Sequence, residues 1–282
     1  MARPFRRLLG PAVAVVLATG LLAACGGGDG GGEDRAQGLT PAELLSQSAD
    51  AAAAAESFRI GLDVTGEIDL TDPAAVPGGN LLNGPLDISG EGPVDPPDRA
   101  SIDARIEVSG LPLQINITRV GDDVFVGALG QDFRVDLPAE QVALLDFGAL
   151  YPTLVDWTVN PAEAGSEDID GTPTVKVQGD IDAERALGSL APLLGGEAPS
   201  AAAARSALRE GTVEAWIGTE DLLPRRVRLV LAADAARVAE GVGAVAIDLT
   251  ADLSAWNEPV DIQAPSNPRD LDTDQLGGLF GG

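Results

Sequence analysis

The stretch Phe58-Arg-Ile-Gly-Leu-Asp-Val-Thr-Gly-Glu-Ile-Asp-Leu70 decides the fold of this chain, because apolar and polar residues alternate along it. Successive side chains of a β-strand point to opposite faces of a sheet. The alternation therefore predicts one long strand with an apolar face and a polar face. The apolar face carries Phe58, Ile60, Leu62, Val64, Ile68 and Leu70.

The same alternation returns along most of the chain. It occurs in residues 86–88, 102–108, 111–117, 124–126, 133–137, 174–179, 213–217, 227–231 and 245–253. Strands that alternate in this way favour an antiparallel sheet with one covered face. A sheet of about nine or ten such strands must curl or close, because strand twist accumulates across it.

Three other stretches carry helical spacing. The first begins with a capping box, in which Thr40 is the N-cap, Pro41 the first helical residue and Glu43 the third, and it is predicted to run to Glu56. The others are residues 138–154 and 182–194, the second of which continues after a glycine break as residues 200–209. The sequence thus predicts an α+β fold, a strongly curved antiparallel half-barrel with helices across its concave face.

The inward side of such a sheet allows two fillings. Either apolar side chains and helices pack it solid, or the helices fill it in part and a ligand occupies the remaining cavity. The residues alone leave both alternatives open. The inward positions concerned are Phe58, Ile60, Leu62, Ile102, Ile106, Ile115, Ile117, Val227, Leu229, Val245 and Ile247.

The N-terminal segment has the pattern of an export signal. Arginines precede a charge-free stretch over residues 8–24, and Leu22-Ala-Ala-Cys25 contains the one cysteine of the chain. This lipobox resembles the signal of bacterial lipoproteins, whose cysteine becomes the diacylated first residue. The alternatives are an ordinary signal peptide or a spanning helix, for which the stretch is only marginally long enough.

These features divide the chain into four parts. Residues 1–24 are predicted to be a cleaved signal peptide, and residues 25–39 a lipidated Cys25 followed by a flexible glycine-rich tether. Residues 40–266 form the folded body, and residues 267–282 a loosely ordered tail. The expected location is the extracytoplasmic face of the cell membrane.

Composition excludes several classes of function. The formal net charge is -26, which repels nucleic acid. The chain has no histidine, which removes Ser-His-Asp triads and histidine metal sites, and we predict no metal or cofactor. We expect the protein not to be an enzyme, although a hydrolase that uses two carboxylates is a formal rival.

Arginine is concentrated in one strand of an otherwise acidic body. Arg226 and Arg228 share a face of the predicted strand that contains Val227 and Leu229. Arginine pairs well with phosphate, so these two residues are candidates for contact with a lipid head group at a cavity mouth. The alternative is a solvated strand face that balances nearby acids.

Four segments, in order, resemble the LppX/LprG-type envelope lipoproteins of actinobacteria and the wider LolA/LolB-like carriers. They are the hairpin at residues 122–133, the strand at residues 168–179, the strand-turn-strand at residues 211–229 and the ending at residues 257–265. The resemblance covers residues 40–266. One departure is Phe133, which stands where a tryptophan is common in the family.

The resemblance implies a half-barrel closed by helices around an apolar cavity that holds acyl chains. Known members bind or carry lipidated molecules, among them triacylated glycolipids. It favours the cavity alternative for the inward residues, and it implies a passive carrier of a lipid or acylated glycolipid, with an envelope lipid transporter as a further partner. The rival hypothesis is a structural or signalling lipoprotein with a solid core that acts through protein partners.

Overall fold

The computed structural model describes residues 34–73, 83–108, 111–137, 142, 145–190, 200–234, 236 and 241–271. All of them belong to the compact unit Glu33–Gly282. The predicted signal peptide, Cys25 and residues 26–33 of the predicted tether lie outside the described residues. Residues 34–39, which were predicted to belong to the flexible tether, are instead packed on the body, because Ala36 is buried in the core and its N–H donates to the Thr219 carbonyl oxygen.

The described residues contain four helices and twelve strands. The helices are α1 (Pro41–Ala53), α2 (Phe147–Trp157), α3 (Ala183–Leu190) and α4 (Ala201–Ala207). The strands of the first half are β1 (Phe58–Leu70), β2 (Gly84–Asp95), β3 (Arg99–Val108), β4 (Leu111–Val120), β5 (Asp123–Ala128) and β6 (Gln131–Val135). The second half contributes β7 (Thr158–Ile169), β8 (Thr172–Ile181), β9 (Leu208–Gly218), β10 (Pro224–Asp234), β11 (Val242–Ser254) and β12 (Arg269–Leu271).

The strands form one open sheet in the order β12-β6-β5-β4-β3-β2-β1-β11-β10-β9-β8-β7. The chain runs outward from β1 to β6, enters the other edge at β7 after α2, and returns strand by strand until β11 pairs with β1. Every pairing is antiparallel except that of β12 with β6. The predicted α+β half-barrel is confirmed.

The sheet contains two strands that the sequence did not predict. β7 consists of Thr158–Ile169, whose polar and acidic residues do not alternate with apolar ones, and it pairs with β8 through two register shifts. β12 consists of Arg269–Leu271, three residues of the tail that was expected to be loosely ordered, and it pairs in parallel with β6. Neither strand has an apolar face of its own, so both owe their conformation to the neighbouring strand.

The capping box at the start of α1 is present as predicted. The Thr40 hydroxyl accepts a hydrogen bond from the Glu43 backbone N–H at 3.3 Å, and the Glu43 carboxylate accepts one from the Thr40 N–H at 2.8 Å. The hydrogen bond from the Thr40 hydroxyl lowers the pKa of the Glu43 carboxyl. α1 ends at Ala53, one turn before the predicted Glu56, which is held instead by Asn257.

The other helices are shorter or displaced relative to their predictions. α2 begins after Asp146, whose side chain accepts a hydrogen bond from the Ala149 N–H at 3.1 Å, and part of the predicted stretch 138–154 lies outside the described residues. α3 begins after Asp182, whose carboxylate accepts hydrogen bonds from the N–H groups of Glu184 and Arg185. Acidic side chains thus cap both helices at the end where backbone N–H groups are unpaired.

The main core lies between α1, α2 and the inward face of the sheet. α1 buries Leu44, Leu45, Ser48 and Ala52, the small-residue stripe expected from its sequence, and α2 buries Tyr151, Leu154 and Trp157. These helices pack on inward residues of β1, β2, β3, β8, β9, β10 and β11. The stacked rings of Phe58 and Trp256, with centroids 4.8 Å apart, lie at one end of this core.

Two glycines on the inward side allow the sheet to bend. A Cβ at Gly92 would lie 1.9 Å from the carbonyl oxygen of Ser101 on β3, and one at Gly66 would lie 2.3 Å from that of Ala246 on β11. Any other residue would force the backbones apart at these points. The close approach of neighbouring strands therefore depends on glycine.

One buried polar contact ties α1 to α2. The Tyr151 hydroxyl donates a hydrogen bond to Ser48 Oγ at 2.9 Å, and both side chains are buried. Burial raises the pKa of the Tyr151 phenol, and the hydrogen bond with Ser48 opposes the shift in part. Because this is the one tyrosine of the chain, its ionisation can be followed by phenolate absorbance.

We predict that the Tyr151 phenol ionises only when the protein unfolds. Its pKa is higher in the folded state than the unfolded value of about 10. The stability that this provides is complete below that pH and is lost as the pH rises above it. Phenolate absorbance and circular dichroism should therefore change together in an alkaline titration. Tyr151→Phe should remove this pH dependence and cost about 1 kcal/mol at neutral pH. Phenolate formation near pH 10 in a protein with native circular dichroism would contradict the burial.

Candidate functional site

The predicted cavity-lining residues all lie on one face of the sheet. Ile102 pairs with Ile117 across β3 and β4, and Leu62 and Val227 both pair with Ala251 of β11. Side chains directly opposite one another in an antiparallel pair point to the same face. The register therefore brings together residues that are up to 189 positions apart in the sequence, between Phe58 and Ile247.

The helices divide this face into two halves. Beneath α1 and α2, a cavity of about 10 Å³ lies between the helices and the sheet, with Phe58, Tyr151, Leu154 and Trp256 among its lining residues. That volume holds at most one water molecule. An acyl chain has no room there.

Part of the predicted lining is therefore core. Phe58, Ile60, Ile102, Val227 and Leu229 are buried and belong to the main core cluster. These five side chains are packed against other side chains and do not line a cavity that could hold an acyl chain, because α1 and α2 contribute enough apolar side chains to fill the space above them.

The other half of the face is less covered. Leu62, Ile106, Ile115, Ile117, Val245 and Ile247 are only partly buried, although each points inward. Leu113, on the same side of β4, is 42% exposed. We define the open apolar face by its residues: Leu62, Ile88, Ile106, Leu113, Ile115, Ile117, Val245, Ile247 and Leu249.

Three members of the open apolar face were missed as site residues, namely Ile88, Leu113 and Leu249. Ile88 pairs with Ile106 on β3, and Leu113 pairs with Ile106 from the other side. They have the same strand parity as the predicted residues, so the apolar alternation could have identified them as well. Together with Leu62 on β1, they extend the face from β4 across β3, β2 and β1 to β11.

The predicted head-group arginines lie on the opposite side of the sheet. Arg226 Nε donates to Asp252 Oδ1 at 2.6 Å, and Arg228 binds both carboxylate oxygens of Asp248 through Nε and Nη2, at 2.9 and 2.6 Å. The hydrogen bond from Arg228 lowers the pKa of the Asp248 carboxyl. Strand alternation turns these arginines away from Val227 and Leu229. They therefore form the solvated strand face that balances nearby acids, which was the alternative to head-group contact.

A broad cleft of about 1260 Å³ crosses β1 to β6. Two outward rows line it, each made of outward-facing residues that are paired from strand to strand. One row contains Glu91, Asp103, Asn116 and Asp132. The inward neighbours Ile88 and Ile106 do not line it. We call it the outer cleft, because its charged side chains belong to the two outward rows, although Leu62, Leu113 and Ile115 of the open apolar face line it as well.

Two further findings concern membranes and metals. None of the helices within the described residues combines the length and the apolar character that crossing a bilayer requires. Within the same part of the chain, no group of three or more acidic, histidine or cysteine side chains is arranged to hold a metal ion.

Comparisons with known proteins place the chain among similar structures. No family model matches it, and no curated protein matches it. LprF from Mycobacterium bovis is similar with a TM-score of 0.49 and 19% sequence identity, over 80% of this chain and 97% of LprF. Lipoprotein LppX from Mycobacterium tuberculosis is similar with a TM-score of 0.46 and 18% identity, over 79% of this chain and 98% of LppX. A LolA superfamily protein from Nitrosomonas europaea has a TM-score of 0.26 and 10% identity, over 80% of this chain and 96% of that protein.

LppX is also among the proteins that the sequence motifs resemble.

The division of the inward face predicts unequal effects of the same truncation. Ile60→Ala removes a buried side chain beneath the helices and should lower the free energy of unfolding by about 2–5 kcal/mol. Ile115→Ala removes a partly exposed side chain and should cost only about 1 kcal/mol. Denaturant titration of both variants measures the difference. Equal costs would show that both halves of the face are equally packed.

Proposed function

We propose that this protein is an envelope lipoprotein whose open apolar face binds the acyl chains of a lipid or acylated glycolipid and carries that lipid within the cell envelope. The supporting observation is the partial exposure of a continuous aliphatic surface in a chain with a net charge of -26. Large exposed apolar patches on a soluble domain mark binding surfaces, because burial by a ligand removes them from water.

The hydrophobic effect is strong enough for this role. Each buried methylene contributes about 0.8 kcal/mol, so a long acyl chain gains several kcal/mol even from partial coverage. Transfer into a bilayer provides a similar gain per methylene, so loading and release lie close to balance. A carrier of this kind exchanges cargo with a membrane without an energy source.

The proposal includes a place in the cell. Acylation of Cys25 would hold the protein at the extracytoplasmic face of the membrane, and the glycine-rich tether would let the body reach the bilayer surface. An envelope lipid transporter is the class of partner that would load or unload it. Cys25 and residues 26–33 of the tether are outside the described residues, so this part of the proposal rests on the sequence.

The arrangement of charge favours binding over catalysis. The carboxylates that line the outer cleft, among them Asp63, Glu91 and Asp103, are exposed to solvent. A hydrolase that uses two carboxylates needs one of them in an apolar environment that keeps it protonated. Among the described residues, the inward positions of β1–β6 and β11 carry no carboxylate.

One observation favours a second candidate function. The cavity under α1 and α2 measures only about 10 Å³, as expected for a lipoprotein with a solid core. In that case the open apolar face would bind a protein partner in a structural or signalling role. The two candidates differ in whether a small acyl ligand binds to this face.

Leu113→Glu tests the lipid hypothesis directly. Leu113 is the most exposed member of the open apolar face, so the substitution should change stability by less than about 1 kcal/mol. A charge there would have to be desolvated by a bound acyl chain and should weaken binding of a fluorescent fatty acid about tenfold or more. Fluorescence titration of the mature chain measures this affinity.

Thr65→Glu is the matched control. Thr65 is exposed on β1 but points to the outer face, so the same charge there should leave fatty-acid binding unchanged. Failure of the unsubstituted protein to bind the probe would contradict the lipid hypothesis and favour the protein-partner alternative. Equal weakening by both variants would show that net charge, and not the open apolar face, controls binding.

A further inference from the structure

β4 carries an apolar track that ends in a cation. Leu113, Ile115 and Ile117 occupy successive inward positions of this strand, and Arg119 occupies the next one. The register confirms the shared side, since Arg119 pairs with Ala100 of β3 and with Val124 of β5, both of which are buried.

Arg119 differs from the other residues on its face. Among the inward positions of β1–β6 and β11 within the described residues, it carries the only charge. Arg226 and Arg228 of β10 lie on the outer face and are paired with carboxylates. Arg119 has no salt bridge with any described residue.

The guanidinium of Arg119 has unused hydrogen-bonding capacity. Its Nε donates to the carbonyl oxygen of Gly121 at 3.1 Å, which fixes the side chain near the β4–β5 turn. Its Nη1 is buried and has no hydrogen-bond partner among the described residues. A buried charged donor without an acceptor is unfavourable, and an anionic oxygen would satisfy it.

The position of Arg119 suits the end of a ligand. Arg119 is only partly buried, and it lies at the end of β4 beside the turn that contains the exposed Asp122. Leu113 is six residues away along the same strand, a distance of about 20 Å. An extended long acyl chain spans such a distance.

We propose that Arg119 binds the anionic head group, a carboxylate or a phosphate, of a lipid whose acyl chain lies along Ile117, Ile115 and Leu113. This inference rests on the proposed function and narrows the ligand to an anionic lipid. The planar guanidinium pairs with carboxylate or phosphate oxygens in a fixed geometry, whereas a neutral hydroxyl offers it only a weaker acceptor.

Two ligands with the same chain test the inference. Binding of hexadecanoate and of hexadecan-1-ol to the full mature chain is measured by titration calorimetry at mildly alkaline pH. Arg119→Gln should weaken hexadecanoate binding about tenfold and leave hexadecanol binding unchanged. Arg119→Lys keeps the charge but loses the planar guanidinium. Its affinity for hexadecanoate should therefore lie between those of the unsubstituted protein and Arg119→Gln.

Arg105→Gln is the matched control, because Arg105 is an exposed arginine on the outer face of β3. It removes the same charge and should change neither affinity. If Arg119→Gln does not fold, as judged by circular dichroism, the comparison of Arg119→Lys with the unsubstituted protein decides the question.

Several results would overturn the inference. Equal weakening of both ligands by Arg119→Gln would make Arg119 a packing residue, and equal affinity of the unsubstituted protein for both would show that the anion is not recognised. Arg119-dependent binding of inorganic phosphate with no acyl chain would indicate a site for a free anion. In these cases binding of the alcohol would still support the proposed function, whereas failure of both acyl ligands to bind would remove the proposed function as well.

Discussion

The structure depends on a mismatch between the apolar area of the sheet and the helices available to cover it. Long alternating strands give the sheet an apolar inward face that extends from β4 through β1 to β10. α1 and α2 pack on one half of that face, where a cavity of about 10 Å³ lies beneath them. Apolar surface left in contact with water is unfavourable in proportion to its area. The remaining half is stable in this form only because the covered half supplies the folding energy.

The two sides of the sheet are chemically separate, and this separation defines what each can bind. The outer side holds the acids and most of the arginines, paired as Arg226 with Asp252 and Arg228 with Asp248. Pairs at such exposed positions stabilise the fold by little, but they keep the outer surface hydrated. The inner side is aliphatic, with Arg119 at one end of β4. A ligand with a long apolar chain and an anionic end matches the inner side in both respects.

Much of this arrangement could be predicted from the sequence, because strand alternation depends only on neighbouring residues. Parity alone placed Ile102, Ile115 and Ile247 on one face, and the Thr40–Glu43 capping box marked the start of α1. Sequence could not show that Ile60 is under the helices while Leu62 is at their border, because that boundary depends on where α2 lies. β7 and β12 were missed because they form by pairing with a neighbour and have no apolar pattern.

The most direct test of the central idea is to find where an acyl chain touches the protein. A fatty acid with a photoreactive diazirine in its chain would be bound to the mature protein, irradiated, and located by peptide mass spectrometry. We expect the label on β3, β4 and β11, at residues of the open apolar face such as Ile106, Leu113 and Ile247, and competition by unlabelled fatty acid. Label confined to outward side chains of the outer cleft, such as Asp63, Glu91 and Asp103, or no label that a competitor can reduce, would contradict it.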